Sequence, residues 1–332
     1  MLTRRGFLEV AAAAGVLSGV KAVAQEACGA NCCSDSNGSF RTQLKAALIA
    51  KAGDEATCQR VAAAGFKGVE LTGEMTMEQA RQYRANAEKA GIRIHSIMGA
   101  GWSDFNNADA EKRKASIEKM KVRLAVAAAC GASTVLCVPG RIGGMKMPAP
   151  HEFSLEFDAK TLELKSVVKG DNAPYAAYIA AHNDATKYTI EAVRELEPIA
   201  AREGVTLCLE NVWNNLWVKP DYMAALVRFF DSVWVKAYLD LGNHVCYAPA
   251  EEWLRAEKGI AAKLHIKDFL IDLSKGHDGT FVPIGKGSID WKSVRKVIEE
   301  TNYSGWISIE SGGFSDAEHR KIMDKIFIGE GA

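Results

Sequence analysis

Residues 76–98 read TMEQARQYRANAEKAGIRIHSIM and contain the pattern that recurs along this chain. The run Thr76–Ala90 favours a helix, and Gly91 follows it in the position where glycine commonly ends helices. The apolar segment Ile92–Met98 begins immediately afterwards and has the composition of a buried strand. A helix that ends in glycine just before a short apolar strand indicates an α/β fold with a parallel sheet.

The same alternation continues in both directions from this segment. Eight apolar runs predict buried parallel strands: Leu44–Ala50, Gly68–Leu71, Ile92–Met98, Thr134–Val138, Val205–Glu210, Val233–Leu239, Ala262–Ile266 and Gly305–Glu310. A helical pattern follows each of them: Glu55–Ala64, Thr76–Ala90, Ala110–Cys130, Tyr178–Glu203, Pro220–Phe230, Ala250–Lys258, Trp291–Thr301 and Asp316–Ile326. Eight such units predict a single-domain (β/α)8 TIM barrel. The competing doubly wound sheet would usually have a glycine-rich turn after its first strand, and this sequence has none.

The composition limits the class of protein. The 332 residues include 41 Lys and Arg and 41 Asp and Glu, so the formal net charge is zero, and 48% of the residues are hydrophobic. These are ordinary values for a globular protein. A balanced charge argues against a nucleic-acid-binding surface and against an electrostatic membrane anchor.

The N-terminal segment predicts export. Arg4 and Arg5 precede a short apolar run, and residues 22–24 form a small-x-small cleavage pattern. Paired arginines before such a run are typical of the twin-arginine signal, and the run is too short to span a bilayer. We therefore expect a signal peptide at 1–24, a flexible tail at 25–40 and the barrel at 41–330. The expected partner is the twin-arginine export machinery, and the expected location is the periplasm, without a stable membrane anchor.

The eight cysteines fall into two groups. The tail holds Cys28, Cys32 and Cys33, which an oxidising compartment would allow to form a disulfide and which are also close enough to bind metal. The others lie in apolar helix or strand contexts and are expected to be buried small hydrophobes: Cys58, Cys130, Cys137, Cys208 and Cys246.

Two long connections, Pro139–Ala177 and Lys267–Gly287, follow the fourth and seventh strands. In a TIM barrel both lie at the C-terminal face, where active sites are built. Connections of this length commonly carry function, so we expect them to roof the substrate.

The last four predicted strands each end on a residue that can bind metal: Glu210, Asp240, His265 and Glu310. In a closed barrel these strand ends lie on one arc of the rim. Three carboxylates so close together would repel one another unless a cation held them. One imidazole with three carboxylates suits one divalent ion, Mn²⁺, Co²⁺, Mg²⁺ or Zn²⁺.

With these residues in place, the chain resembles the sugar isomerase/epimerase superfamily, which has a xylose isomerase-like barrel and includes the AP endonuclease family 2. The resemblance rests on an ordered set of motifs: GFKGVEL (65–71), GVTLCLENVWNN (204–215), VKAYLDLGN (235–243), KLHIKDF (263–269), IGKGSIDW (284–291) and GWISIES (305–311). It implies that Glu210, Asp240, His265 and Glu310 are the metal ligands. It also implies that Glu210 and Glu310 are catalytic and move a proton next to a substrate carbonyl, through an enediolate.

The sequence departs from the free-ketohexose epimerases of this superfamily. Asn243 stands where they have a substrate-binding histidine, and Leu216 aligns with their substrate-binding glutamate. We therefore expect a different sugar, keto-sugar or glycoside substrate and a different set of substrate contacts: Asn211, Trp213, Trp217, Asn243, His244, Lys267, His95 and Trp102. Lys267 has two interpretations, because it either contacts a substrate oxygen or pairs with Asp268.

Three functions remain open at this stage. The first is a metal-dependent sugar isomerase or epimerase. The second is a lyase or hydratase for 3-keto-glycosides, or an inosose dehydratase-like enzyme, with the same metal site and the same first step. The third is a non-catalytic carbohydrate-binding barrel. A homo-oligomer is compatible with each of them.

Overall fold

The computed structural model describes residues 37–99 and 101–332. The predicted signal peptide and residues 25–36 of the predicted tail, with Cys28, Cys32 and Cys33, lie outside the described residues. Within the described ranges, no helix combines the length and the apolar character needed to cross a membrane.

The strands of the described residues are β1 Leu44–Ala50, β2 Gly68–Leu71, β3 Arg93–Ile97, β4 Thr134–Cys137, β5 Glu156–Phe157, β6 Leu164–Ser166, β7 Thr206–Glu210, β8 Val235–Asp240, β9 Ala261–Ile266, β10 Asp268–Ile271, β11 Gly279–Val282 and β12 Gly305–Ile309. Eight of them are parallel and close into one barrel, in the order β1-β12-β9-β8-β7-β4-β3-β2. All eight predicted strands are in the barrel, each within two residues of its predicted ends. The TIM barrel is thus confirmed, and the doubly wound sheet is excluded because the sheet closes on itself.

Helices surround the barrel and link its strands. They are α1 Glu55–Ala63, α2 Met77–Lys89, α3 Ala110–Cys130, α4 Ala176–Glu203, α5 Pro220–Phe229, α6 Ala250–Ala256, α7 Trp291–Glu300 and α8 Asp316–Phe327. Local sequence sets their ends. The Thr76 side chain accepts from the Gln79 amide and the Gln79 side chain accepts from the Thr76 amide, which forms a capping box at the start of α2. Gly131 ends α3 with φ at 74°, a left-handed conformation that glycine adopts without strain.

Alternation along each barrel strand separates two layers of side chains. On β7, Leu207 and Leu209 pack in the main core, which includes the surrounding helices, while Cys208 belongs to a second cluster with Leu136 and Tyr238. The cysteines of the described residues are free and buried, as predicted: Cys58, Cys130, Cys137, Cys208 and Cys246. The residue that follows Cys208 on its own face is Glu210, so this alternation aims Glu210 into the mouth of the barrel.

The two long connections each form a small antiparallel sheet that the sequence did not predict. The first contains β5 and β6, and the second contains β10 and β11. They meet where His151 Nδ1 lies 3.0 Å from the carbonyl oxygen of Gly276. This contact joins the two connections at the C-terminal face, where they were expected.

Candidate metal centre

Four side chains from neighbouring strands converge at the C-terminal mouth of the barrel. Glu210 and Asp240 are the last residues of β7 and β8, His265 is next to last in β9, and Glu310 directly follows β12. These strands are consecutive in the barrel. One ligand atom from each side chain lies within 4.8 Å of all the others, and all but the half-buried Glu310 are buried.

The cluster has the chemistry of a cation site. His265 Nδ1 lies 3.2 Å from Glu210 Oε1, 3.2 Å from Glu310 Oε2 and 3.8 Å from Asp240 Oδ2. Asp240 Oδ2 and Glu310 Oε2 are buried, and the Lys267 ammonium nitrogen lies 3.1 and 2.7 Å from them. Buried carboxylate oxygens need donors or positive charge around them, and three carboxylates with one imidazole fit a divalent cation.

Electrostatics differ between the two glutamates. Burial raises the pKa of Glu210 above its ordinary value. Burial acts in the same direction on Glu310, but hydrogen bonding and charge from His265, together with the Lys267 ammonium, outweigh it and hold the pKa of Glu310 low. The two carboxylates therefore hold protons with unequal strength although they face the same imidazole nitrogen.

Two asparagines and the Asp240 turn fix the position of the Asp240 carboxylate. The Asn211 side chain donates to the Asp240 carbonyl at 2.8 Å and accepts from the Asp240 amide at 2.7 Å. Asp240 Oδ1 accepts from the amides of Gly242 and Asn243 at 2.8 and 2.7 Å. These bonds leave Oδ2 pointing into the site. The Asn211 amide is therefore used for structure, which accounts for the adjacent Glu-Asn pair in the sequence.

Lys267, two residues after His265 in sequence, contacts two carboxylates of the cluster. Its Nζ lies 2.7 Å from Glu310 Oε2 and 3.1 Å from Asp240 Oδ2, and it donates to Asn243 Oδ1 at 3.1 Å. Gly242 makes room for it, because a Cβ there would lie 2.5 Å from Lys267 Cγ. Of the two interpretations made from sequence, the pairing of Lys267 with Asp268 is wrong.

Asp268 instead holds the turn that leads into α7. Its Oδ2 accepts from the amides of Gly285 and Gly287 at 2.9 and 3.1 Å and from Trp291 Nε1 at 3.2 Å. These donors all come from the IGKGSIDW motif. The KLHIKDF and IGKGSIDW motifs are therefore linked through one carboxylate, which anchors the second long connection beside the site.

The sequence analysis missed Glu70. This residue of β2 is fully buried, and its Oε2 lies 2.7 Å from His265 Nε2, on the side of the ring opposite the cluster. Burial alone would raise the pKa of Glu70, but the charge of His265 and its hydrogen bond lower it to about 2. The available signal was one acidic residue in an otherwise apolar strand, since an unpaired buried charge is costly.

Several predicted substrate contacts lie in the interior of the protein instead. Trp217 is 1% exposed, and its Nε1 donates to Thr186 Oγ1 at 3.1 Å, so its predicted role as a sugar platform is corrected to core packing on α4. His244 is 1% exposed and its Nε2 lies 2.8 Å from the Val212 carbonyl oxygen. A side chain with no open face has no surface to offer a sugar.

His95 and Trp102 also lie apart from the cluster. His95 is buried, stacks on Trp306 with ring centroids 4.8 Å apart, and places Nε2 3.0 Å from Ser308 Oγ. Trp102 is exposed and has the Arg141 guanidinium 5.5 Å from its ring centroid. His95 is thus a core histidine, and Trp102 is an exposed surface side chain.

A cavity of about 500 Å³ borders the cluster at Glu310 and lies within the size range of small-molecule sites. Of the predicted residues, Asn243, Lys267 and Glu310 line it. Phe281 of β11 forms an aromatic wall that the sequence analysis missed and is 47% exposed. Trp213 packs behind it, with ring centroids 5.8 Å apart. The cavity therefore has one aromatic wall, Phe281, and neither Trp213 nor Trp217 is among its lining residues.

Comparisons with solved structures give the same fold. A D-tagatose 3-epimerase-like protein matches with a TM-score of 0.65 and 18% identity, over 86% of this chain and 97% of that chain. The 3-keto-D-glucoside 4-epimerase YcjR from E. coli matches with a TM-score of 0.60 and 17% identity, over 85% and 98%. At these identities the likeness establishes the barrel alone.

A curated relative also matches by sequence. L-ribulose-5-phosphate 3-epimerase UlaE of Escherichia coli O1:K1 / APEC is 25% identical over 134 residues, which are 40% of this chain and 45% of that protein. The chain thus aligns with less than half the length of the curated relatives that it matches. A family model described as a xylose isomerase-like TIM barrel covers residues 58–326. The chain therefore belongs to the xylose isomerase-like TIM barrel family.

Proposed function

We propose that this protein is a divalent-metal-dependent sugar isomerase or epimerase that moves a proton on the carbon next to a carbonyl. The observation that carries the proposal is the placement of Glu210 and Glu310. These carboxylates come from β7 and β12 and lie at equal distances of 3.2 Å from the same nitrogen of His265. Two carboxylates in one candidate cation site suit the removal of a proton and its return.

The four clustered side chains would hold the cation, which is Mn²⁺, Co²⁺, Mg²⁺ or Zn²⁺ on this ligand set. When bound, it supplies Lewis-acid stabilisation of the charge that develops on the substrate oxygens. One of Glu210 and Glu310 takes the α-proton, and the other returns a proton to the enediolate. Lys267 and Asn243 line the cavity beside Glu310. Lys267 would donate to a substrate oxygen there, and Asn243, which accepts from the Lys267 ammonium, holds that side chain in place.

The cavity favours an uncharged keto-sugar or keto-glycoside. Among the described residues that line it, Lys267 is the one cationic side chain, and arginine is absent from the lining. Phosphate recognition usually relies on arginine forks or several cations. The name of the UlaE relative specifies a phosphorylated sugar and that of YcjR a keto-glucoside, and the lining of this cavity fits the second kind of substrate better.

Solvent deuterium exchange tests this function. The metal-free protein and the protein loaded with each of the four ions are incubated in D₂O with ketoses and 3-keto-glycosides, and NMR follows the α-carbon. Metal-dependent deuterium incorporation with a new epimer or isomer is the expected result. Release of an aglycone or of water identifies a lyase or dehydratase instead. Binding without exchange identifies a carbohydrate-binding barrel and overturns the proposal.

We also propose export of the folded barrel, residues 41–330, into the periplasm by the twin-arginine route. The support is the Arg4-Arg5 pair ahead of a short apolar run. Cell fractionation of the full chain beside an Arg4→Lys, Arg5→Lys variant is the test. The full chain is expected in the periplasm and the variant in the cytoplasm, and equal distribution of the two would refute the proposal.

A further inference from the structure

We propose that Glu70 is a positioning residue that sets the ring of His265 so that Nδ1 faces the cation site. The inference rests on the metal-dependent function proposed above, because it assigns a task to a residue outside the ligand cluster. Glu70 and His265 lie 195 positions apart in sequence, yet Glu70 Oε2 and His265 Nε2 are 2.7 Å apart and both side chains are fully buried.

The two ring nitrogens of His265 face different partners. Nε2 faces Glu70 Oε2, and Nδ1 faces Glu210 and Glu310 at 3.2 Å each. A carboxylate accepts hydrogen bonds and donates none, so Glu70 selects the tautomer with the proton on Nε2. When a cation displaces the Nδ1 proton, the lone pair of Nδ1 is directed at the cluster, as a metal ligand requires.

Glu70 is itself held in place. The Tyr238 hydroxyl donates to its Oε2 at 2.7 Å, and the Ser96 hydroxyl donates to its Oε1 at 2.9 Å. The Tyr238 ring also packs on His265, with centroids 4.4 Å apart. These residues come from β8 and β3, so the arrangement spans the interior of the barrel.

This geometry separates Glu70 from the ligands. The imidazole ring stands between Glu70 and the cluster, and both Glu70 oxygens already accept hydrogen bonds. A glutamine at this position would lose the preference for the Nε2–H tautomer. Its amide oxygen can accept from Nε2, but its NH₂ group can instead donate to Nε2, which favours the Nδ1–H tautomer. That tautomer places a proton on Nδ1, where the cation would bind.

The test is metal affinity measured without substrate. Isothermal titration of metal-free protein with Mn²⁺ and with Zn²⁺ is compared between wild type and Glu70→Gln. Loss of an outer partner of a metal-bound histidine typically weakens binding by about 10- to 100-fold, and we expect a loss in that range. Tyr238→Phe is the matched control, because it removes one bond to Glu70 and leaves the contact with His265. Its loss should be clearly smaller.

A second readout identifies the cause. In the Zn²⁺-loaded protein, long-range ¹H–¹⁵N spectra of the histidine rings distinguish the Nε2–H tautomer from the Nδ1–H tautomer. The wild type should show Nε2–H at His265 with Nδ1 on the ion, and Glu70→Gln should show a fraction of His265 rings that carry Nδ1–H and are detached from the ion. General loosening of the fold would lower metal affinity without this change.

The outcomes are separable. If the wild type binds none of the divalent ions, the proposed function fails. If the wild type binds metal and Glu70→Gln binds it equally well with the same tautomer, the function stands and the role of Glu70 is refuted. If Glu70→Gln does not fold by circular dichroism, Glu70→Asp decides. It keeps the charge but draws the oxygen back from Nε2, so wild-type metal affinity in that variant also refutes the role.

Discussion

The ammonium nitrogen of Lys267 lies 2.7 Å from Glu310 Oε2 and 3.1 Å from Asp240 Oδ2, so one buried side chain contacts two members of the candidate metal site. A divalent ion in the cluster would draw on the same two carboxylates. Lys267 is thus both the charge partner of the site without metal and a competitor for its ligands.

Replacing Lys267 by methionine separates these two roles. Breaking a buried ion pair costs roughly 3–5 kcal/mol, so the melting temperature of the metal-free protein should fall. Metal affinity should rise, because no ammonium shares the carboxylates. Calorimetry and isothermal titration measure the two effects, with the exposed Lys286→Met as control. A variant with lower stability and also weaker metal binding would contradict the competition.

The acid–base assignment predicts a large loss on removing either carboxylate. Glu310→Gln and Glu210→Gln should each lower turnover by about 10²- to 10⁴-fold, the usual contribution of a positioned acid or base. Both variants are assayed at saturating metal, with bound metal quantified, so that loss of the ion is not mistaken for loss of proton transfer. Near-normal rates in Glu310→Gln would remove it from the mechanism.

Phe281 should act on substrate binding. At about 25 cal/mol per Å² of apolar surface, covering about 40 Å² of the ring with a sugar contributes roughly 1 kcal/mol, so Phe281→Ala should raise KM by about fivefold and leave kcat nearly unchanged. Leu270→Ala, an exposed position on the paired strand β10, is the control. Equal effects of the two substitutions on KM would argue that the hairpin as a whole is responsible.

Trp217 should affect stability alone. Its indole nitrogen donates to Thr186 Oγ1 in the core. Trp217→Phe therefore removes this hydrogen bond from a buried hydroxyl and leaves a small void beside it. The free energy of unfolding should fall by about 1–3 kcal/mol, as measured by urea denaturation. KM should stay at the wild-type value. A raised KM with unchanged stability would restore the sugar platform that the sequence suggested.

The buried carboxyl group of Glu257 should make the free energy of unfolding depend on pH. Burial raises its pKa from 4.5 to about 8, with the Arg228 charge opposing, and neither carboxyl oxygen has a hydrogen-bond partner within the described ranges. Between these pH values the folded protein holds a proton that the unfolded chain releases. The contribution of Glu257 is therefore most favourable below pH 4.5, falls as pH rises towards 8, and levels off above it.

Glu257→Gln removes this dependence. Its melting temperature should equal that of the wild type near pH 4.5 and exceed it by a growing margin up to pH 8, as thermal melts across this range would measure. Glu252→Gln, an exposed position on α6, is the matched control. A margin that does not change with pH would show that the carboxyl group is not the cause.

The sequence by itself determined the barrel and the four residues of the cluster. Strands and helices differ in hydrophobic period, and glycines and capping residues mark where helices end, so local patterns were sufficient for the eight units. The four residues of the cluster could be predicted because each lies at or beside a strand end: Glu210, Asp240, His265 and Glu310. Parallel strands in a closed barrel bring those ends to one rim.

Only the tertiary structure decided which groups surround that cluster. Glu70 reaches His265 across the interior from β2, and two strands separate β2 from β9 around the barrel. Lys267 contacts Asp240 and Glu310 although its sequence neighbour Asp268 has the same charge as they do. Trp217 is buried, whereas Phe281 forms the cavity wall. Such pairings depend on which side chains of distant strands and loops meet in space, and no local period of the sequence encodes that.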